Sequence, residues 1–196
     1  GNQFDTIYHE HYSYFSLSVI KRIALSADLF IEDVEELSTH GGSLRVWLKK
    51  KKSKNTSPLI DKILDKESRF KLETLSCYQD FQSKAFKVKL EFLSLLIEFK
   101  KKNKKVFAYG AAAKGNTLLN YVGVKEDLIK AVADKSLSKQ GKFLPGSHIP
   151  IIRIDQLLEE EPDIIIVFPW NIIDEIREEL KGFKLITIIP EIRNLN

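Results

Sequence analysis

The second half of the chain alternates short apolar runs with helical patterns, and this order restricts the fold more than any other feature. Helical patterns separate most of the apolar runs, which occupy residues 106–109, 129–133, 151–152, 163–168 and 184–189. Strands joined through helices form right-handed crossovers and a mostly parallel sheet. The run Ile164-Ile165-Ile166-Val167 is continuously apolar, which is typical of a strand covered on both faces. We therefore expect an α/β, Rossmann-like lobe with a mostly parallel sheet over about residues 103–196.

The first part of the chain predicts a small region of one helix and a β-hairpin. Residues 16–27 have the apolar spacing of a helix, whereas 29–37 and 44–48 alternate apolar and polar residues as half-buried strands do. The two glycines of Thr39–Ser43 predict the turn between these strands. The opening Phe4-Asp5-Thr6-Ile7 is interpreted as the end of a strand.

A long helical pattern follows the hairpin. It begins at Pro58, a residue suited to the first turn of a helix, and runs to Lys102 with a break expected near Lys66–Arg69. We therefore divide the chain into a catalytic-motif segment, a helical connector and the Rossmann-like lobe, at residues 1–57, 58–102 and 103–196. Because the chain opens abruptly at a strand end, we expect it to be a piece of a longer polypeptide.

The composition is that of a globular protein in a reducing compartment. Apolar residues make up 43% of the chain and charged residues 30%. The single cysteine, Cys77, excludes an internal disulfide and a cysteine-rich zinc site. No apolar stretch approaches the length of a membrane span. We expect a cytoplasmic protein that has no membrane partner.

The positive charge is concentrated in two lysine runs. The net charge is +4, and most of the excess comes from Lys49–Lys52 and from the lysines within 100–105. These runs are interpreted as a solvated loop and a solvated helix end. They lack the aromatic or arginine residues that nucleic-acid binding would require, so no nucleic-acid partner is predicted.

All four histidines lie in short clusters of polar residues and glycines. The clusters are Tyr8-His9-Glu10-His11-Tyr12, Thr39-His40-Gly41-Gly42-Ser43 and Pro145-Gly146-Ser147-His148. Histidine is the side chain best suited to proton transfer near neutral pH, so this concentration indicates a polar site, centred on the first cluster. His9, Glu10 and His11 lack the ligand spacing of a tetrahedral zinc site, and no metal site is predicted.

A segment rich in small residues follows the first strand of the lobe, where a phosphate-binding loop belongs. Small residues allow a ligand to approach the backbone, and the following helix, expected to start at Asn116 or Thr117, presents N–H groups. Neither a Walker A sequence nor Gly-x-Gly-x-x-Gly is present, and a simple packing turn remains the alternative. The candidate phosphate-site residues are Gly110, Ala111, Lys114, Gly115, Asn116 and Thr117.

Further candidates lie at the carboxyl ends of the other predicted strands. Asp134 follows the second strand, where dinucleotide-binding folds place an acid that binds ribose, although it could simply cap the strand. The aperiodic stretch 135–150 is interpreted as a ligand-binding loop, with a turn-rich surface loop as the alternative. Trp170 either flanks a sugar or base or packs against the protein. The candidates are Asp134, Lys139, Gly146, His148 and Trp170.

In combination and order, these motifs resemble the C-terminal domain of the nucleotide-sugar C-methyltransferases, the S-adenosylmethionine-dependent deoxysugar 3-C-methyltransferases. The resemblance rests on residues 4–11, 40–45, 109–120, 145–150 and 169–171. It implies an enzyme with a cysteine-rich zinc domain, a methyltransferase domain that binds S-adenosylmethionine, and this domain, which holds the nucleotide sugar. No cysteine cluster or methyltransferase glycine motif precedes Tyr8. Both cofactors are therefore assigned to domains missing from this sequence.

The resemblance also implies residue roles. His11 is the expected base that removes the proton α to a ketone, and Glu10 and Tyr8 are expected to orient it or to stabilise the enolate oxygen. His9 would share a side with His11 if the segment were extended, but a turn would change that. His40 with Gly41, Gly42 and Ser43, and His148, are expected to shape the sugar pocket.

The expected partners are a nucleotide-diphosphate ketosugar and the missing methyltransferase domain. By itself the chain should bind the sugar nucleotide and transfer no methyl group. Two alternatives remain at this stage: an NAD-linked oxidoreductase or epimerase of nucleotide sugars, and a noncatalytic nucleotide-binding module.

Overall fold

The computed structural model describes residues 2–53 and 55–195, which pack into two compact units. Residues up to Tyr12, together with those from Phe81 onward, form the larger unit, and Ser13–Asp80 form the smaller one. The three functional segments expected from the sequence divide the chain at other positions, and that division stays a prediction.

The smaller unit contains a helix, a hairpin and a second helix. Helix α1 spans Leu17–Ser26, strands β1 and β2 span Phe30–Leu37 and Ser43–Lys49, and α2 spans Pro58–Arg69. The strands pair antiparallel through a short 3-10 turn at Thr39–Gly41, which confirms the predicted hairpin. The start of α1 is fixed by α2, because the Glu67 carboxylate accepts the Leu17 and Ser18 N–H groups at 2.6 and 2.8 Å. Among the residues that the structure describes, the buried core cluster of this unit contains Leu17, Val34, Ile60 and Ile63.

The long helical pattern forms two helices. The first, α2, ends at Arg69, as the expected break near Lys66–Arg69 indicates, and helix α3 spans Phe81–Lys101 in the larger unit. The chain between them turns through Lys71, whose φ is +55°, and a 3-10 turn at Leu75–Cys77. Helix α3 buries one face against the sheet through Ala85, Val88, Phe92 and Leu96.

A six-stranded sheet forms the centre of the larger unit. Its strands are β3 Val106–Tyr109, β4 Val132–Ala133, β5 Ile151–Ile152, β6 Ile164–Val167, β7 Leu185–Thr187 and β8 Arg193–Asn194. They lie in the order β5-β4-β3-β6-β7-β8, all parallel except β8, which pairs antiparallel with β7. Numbered within the lobe, this order is 3-2-1-4-5-6, the order of doubly wound dinucleotide-binding folds. The predicted Rossmann-like, mostly parallel sheet is confirmed.

Both faces of the sheet are buried. Along β3, Val106 and Ala108 pack into one core, and Phe107 and Tyr109 pack into the other. This alternation explains why the central strands are continuously apolar, since each successive side chain enters a different core. The lobe is completed by helices α4 Ala113–Val122, α5 Ile154–Glu159 and α6 Ile173–Glu179. In residues 2–53 and 55–195, no helix is long and apolar enough to cross a membrane.

Two local predictions are wrong. Phe4–Thr6 forms a 3-10 turn rather than a strand end, because the Gln3 carbonyl accepts both the backbone N–H and the hydroxyl of Thr6, at 3.1 and 2.8 Å. Helix α4 begins at Ala113 rather than at Asn116 or Thr117. The Thr117 hydroxyl donates to the Ala113 carbonyl at 3.0 Å within the helix, so this residue lies in the second turn and does not cap the helix.

Candidate functional site

The candidate site lies at the carboxyl edge of the sheet, where the strand order reverses between β3 and β6. Ligands of open α/β sheets bind at this point. The glycine loop, Gly110–Ala112, follows β3, and the tryptophan loop, Phe168–Asn171, follows β6. Both loops belong to the larger unit.

The tryptophan loop packs so closely against the glycine loop and the first turn of α4 that two glycines are required. A Cβ at Gly110 would lie 2.4 Å from Pro169 Cγ, and a Cβ at Gly115 would lie 2.6 Å from Phe168 Cδ2. Gly110 also has a φ of +92°, which side chains rarely adopt. From sequence, these small residues could serve either the approach of a ligand or a packing turn, and the structure gives each glycine a packing reason of its own.

The N-terminus of α4 presents backbone donors at the same edge. Its first residue follows Ala112, which has no side chain able to cap the helix, and the first turn carries no acidic residue. The first N–H groups of a helix have no acceptor within the helix, and the helix dipole adds positive potential there. This ten-residue helix therefore starts with donors suited to an anionic group.

Asp134 and Lys139 fix the glycine loop through the backbone of Ala111. Asp134 Oδ2 accepts the Ala111 N–H at 2.7 Å, and Lys139 Nζ donates to the Ala111 carbonyl at 2.9 Å. Lys139 Nζ also lies 3.3 Å from Asp134 Oδ2, and Asp134 Oδ1 accepts the Ser136 N–H at 2.8 Å. Both carboxylate oxygens of this nearly buried acid therefore have protein partners, and ribose binding by Asp134 stays a prediction.

A buried polar cluster joins the two loops to the N-terminal segment. Lys114 is 9% exposed, its Nζ lies 4.2 Å from the centre of the Trp170 ring, and it donates to Asn171 Oδ1 at 3.1 Å. The indole N–H of Trp170 donates to Asp5 Oδ2 at 2.8 Å. Burial raises the pKa of Asp5 and lowers the pKa of Lys114, and the opposite charge of the other residue partly offsets each shift. Protein groups therefore contact both the face of the Trp170 ring and its indole N–H.

A tyrosine at the end of β3 makes a further side-chain hydrogen bond. The Tyr109 hydroxyl donates to Glu179 Oε2 at 2.8 Å, and Lys135 Nζ lies 2.9 Å from the same oxygen. Burial and the Glu179 carboxylate raise the pKa of Tyr109, so the phenol remains a donor. This contact fixes the last residue of β3 to α6.

The first histidine cluster forms a turn, so the extended arrangement considered for His9 and His11 does not occur. The His11 N–H donates to the Tyr8 carbonyl at 2.9 Å, and the rings of these two residues lie with centroids 4.2 Å apart at 33°. His9 and Glu10 have side chains that are 86% and 70% exposed, with Nε2 and Oε1 4.0 Å apart. We call residues 8–11 the acid–base segment.

The imidazole of His11 is held in one tautomer by the backbone. Its Nδ1 lies 2.9 Å from the Thr6 carbonyl oxygen. A carbonyl oxygen only accepts hydrogen bonds, so Nδ1 carries the hydrogen and the neutral ring has its basic lone pair on Nε2.

The second histidine cluster belongs to the smaller unit. His40, Gly41 and Gly42 form the hairpin turn, in which the glycines have φ values of +82° and +120°. The Ser43 hydroxyl donates to the Thr39 carbonyl at 3.0 Å. The side chain of His40 lies outside the described part of the chain, so its predicted role in the sugar pocket stays a prediction.

The third histidine cluster is hydrogen-bonded to α4. Asn120 Nδ2 donates to the carbonyls of Pro145 and Asn116 at 3.0 and 2.8 Å, and a Cβ at Gly146 would lie 2.0 Å from Asn120 Oδ1. His148 is exposed, with a φ of +59°. The structure therefore brings this loop to the helix that starts at the candidate anion site, although it shows no chemical role for His148.

Three side chains that make contacts at this edge of the sheet were not predicted as site residues from sequence: Asp5, Asn120 and Asn171. Asp5 lay in a segment interpreted as a strand end, and Asn120 and Asn171 lay in stretches with ordinary helical patterns. The described ranges contain no group of three or more His, Cys, Asp or Glu residues placed to hold a metal ion.

Replacing Asp134 by alanine tests whether this acid holds the glycine loop. The loss of charge-assisted hydrogen bonds should lower the free energy of unfolding by about 1.5–3 kcal/mol. The Ala111 amide should also lose its protection in native-state hydrogen exchange, while the exposed Asp80→Ala serves as the control. Unchanged exchange at Ala111 would show that the loop is held by other contacts.

Comparisons with known proteins agree with this arrangement of motifs. Residues 38–190 match the C-methyltransferase C-terminal domain family. The chain is also 35% identical over 199 residues to the C-methyltransferase NovU of Streptomyces niveus. This alignment covers 98% of the chain and 47% of that relative, so the chain spans about half the length of the curated relative it matches. The chain belongs to the C-methyltransferase family, and it is a C-terminal domain of that family.

Proposed function

We propose that this chain is the nucleotide-sugar-binding domain of an S-adenosylmethionine-dependent sugar C-methyltransferase and supplies the base for the reaction. The observation that carries the proposal is the hydrogen bond between His11 Nδ1 and the Thr6 carbonyl at 2.9 Å. It leaves the proton-accepting lone pair on Nε2, at the tip of an exposed side chain. Family membership supplies the reaction class in which such a base is needed.

The proposed step is removal of a proton from the carbon next to the ketone of the sugar. The C–H bond breaks, its electron pair forms the enolate, and the proton moves to His11 Nε2. The Thr6 carbonyl then stabilises the imidazolium, because it accepts a stronger hydrogen bond from Nδ1. The Tyr8 ring restricts the orientation of the imidazole. We propose that the Tyr8 hydroxyl stabilises the developing enolate oxygen and that Glu10 helps to position the proton.

The methyl donor and zinc are assigned to parts of the protein outside this sequence. S-adenosylmethionine supplies an electrophilic methyl group when bound, and the methyltransferase domain is proposed to bind it. The length of the relative, about twice that of this chain, supports a further domain. Zinc is proposed only for the N-terminal domain that the family resemblance implies.

The nucleotide sugar is proposed to bind with its diphosphate at the start of α4. The uncapped helix N-terminus supplies backbone donors, and the Lys114 charge in the first turn adds positive potential. The Lys139 side chain is 42% exposed beside the glycine loop, so it can also face an anion. Asn116, Thr117, Gly146 and His148 lie on the two segments tied together by Asn120, and they are proposed to line the same site.

The dinucleotide alternative has weaker support. The glycine loop lacks Gly-x-Gly-x-x-Gly, and the carboxylate of Asp134 already accepts the Ala111 N–H. The oxidoreductase hypothesis predicts binding of a nicotinamide dinucleotide, and titration with NAD tests it.

A charge placed in the first turn of α4 tests the diphosphate site. Ala113 is exposed there, so Ala113→Glu should keep the helix, which favours acids at its start. The same carboxylate repels a diphosphate, and we expect the affinity for deoxythymidine diphosphate to fall about tenfold in isothermal titration. The neutral Ala113→Gln is the matched control. Equal affinities of the two variants would place the diphosphate elsewhere.

Deuterium exchange tests the base. With a nucleotide ketosugar in deuterated water, the protein should exchange the proton α to the ketone, as followed by mass spectrometry. His11→Ala should slow this exchange about 100-fold or more, and added imidazole should restore part of it. Tyr12→Ala, at a side chain that is 94% exposed, serves as the control. Exchange that survives in His11→Ala would assign the base to another residue.

A further inference from the structure

We propose that Asp5 and Trp170 form an anchor that positions the acid–base segment on the Rossmann-like lobe. Trp170 Nε1 donates to Asp5 Oδ2 at 2.8 Å, across 165 positions of sequence. Both residues belong to the larger unit. The inference rests on the proposed function, because it assigns these two residues a role through His11.

Asp5 is connected to the proposed base through the backbone of Thr6. Asp5 precedes Thr6, whose carbonyl accepts the hydrogen bond from His11 Nδ1. The 3-10 turn Phe4–Thr6 packs against α4, and the Phe4 ring lies 5.1 Å from the Tyr121 ring, centroid to centroid. Fixing the Asp5 side chain therefore fixes the carbonyl that selects the His11 tautomer.

Trp170 is connected to the proposed diphosphate site through Lys114. The face of its ring covers Lys114 Nζ at 4.2 Å, and Lys114 donates to Asn171 Oδ1 of the same loop. Lys114 lies in the first turn of α4. A continuous set of contacts thus runs from the acid–base segment through Asp5 and Trp170 to the N-terminus of α4.

The contact between Asp5 and Trp170 buries a carboxylate oxygen. Asp5 is 2% exposed, and its Oδ1 is buried without a hydrogen-bond partner among the described residues. Burying such an oxygen destabilises the folded protein, and an apolar contact would join the two segments without that cost. A hydrogen bond from an indole N–H to a carboxylate instead fixes the relative orientation of the two side chains. Positioning requires a fixed orientation, whereas simple packing of two segments does not. We therefore assign Asp5 and Trp170 as positioning residues.

Paired substitutions test the anchor in the polypeptide that contains this domain. Trp170→Phe removes the N–H donor and keeps an aromatic face over Lys114, whereas Asp5→Ala removes the acceptor. Each should lower kcat for α-proton exchange about tenfold, with less than a threefold change in deoxythymidine diphosphate affinity. The double variant should be no slower than either single variant, because both break the same contact.

Two further measurements and a control variant separate positioning from simple structural support. Asp5→Asn keeps an oxygen acceptor and should restore kcat to within about threefold of the parent protein. The ¹⁵N spectrum of His11 should show one tautomer in the parent and a mixture in Trp170→Phe. Trp47→Phe, at the other tryptophan, is the matched control and should change neither quantity.

The outcomes distinguish failure of the anchor from failure of the proposed function. An unchanged kcat and an unchanged His11 spectrum in Trp170→Phe would overturn the anchor and leave the base assignment intact. Losses that multiply in the double variant would also overturn it. If the parent protein exchanges no α-proton, the proposed function fails, and the His11 spectrum of Trp170→Phe still decides whether the anchor exists.

Discussion

The close packing of the loops that follow β3 and β6 determines the geometry of the candidate site. Phe168 and Pro169 occupy the space that side chains at Gly115 and Gly110 would need, so larger residues at these two positions would force the tryptophan loop away from α4 and the glycine loop. Asp134 and Lys139 hold the other side of the glycine loop through Ala111. The start of α4 is thereby fixed at the carboxyl edge of the sheet, with its donors already in place.

The same packing gives the N-terminal segment a rigid support. Trp170 extends from the tryptophan loop to Asp5, and the next residue, Thr6, selects the His11 tautomer through its carbonyl. A backbone carbonyl is a suitable partner for this purpose, because it cannot change its role from acceptor to donor. We therefore propose that the Rossmann-like lobe has two roles, which are to bind the substrate and to hold the base in its reactive form.

The sheet could be predicted from sequence, whereas the partners of the polar side chains could not. Ile164–Val167 enter two cores in alternation, and a strand covered on both faces leaves a continuous apolar run. Asp5 has no such local signal, because its burial depends on Trp170, which lies 165 positions away. The start of α4 was misplaced because Ala112 is not a capping residue, and nothing local marks the boundary. Short polar β8 was missed because its pairing with β7 is a tertiary contact.

The proposed role of His11 depends on which ring nitrogen carries the proton, and nuclear magnetic resonance can observe this directly. A two-bond ¹H–¹⁵N spectrum of His11, recorded where the ring is neutral, distinguishes a protonated nitrogen from one that carries a lone pair. We predict a protonated Nδ1 and a lone pair on Nε2, with the Nε2 resonance shifting when a nucleotide ketosugar binds. A protonated Nε2 that does not respond to the sugar would contradict the assignment of His11 as the base.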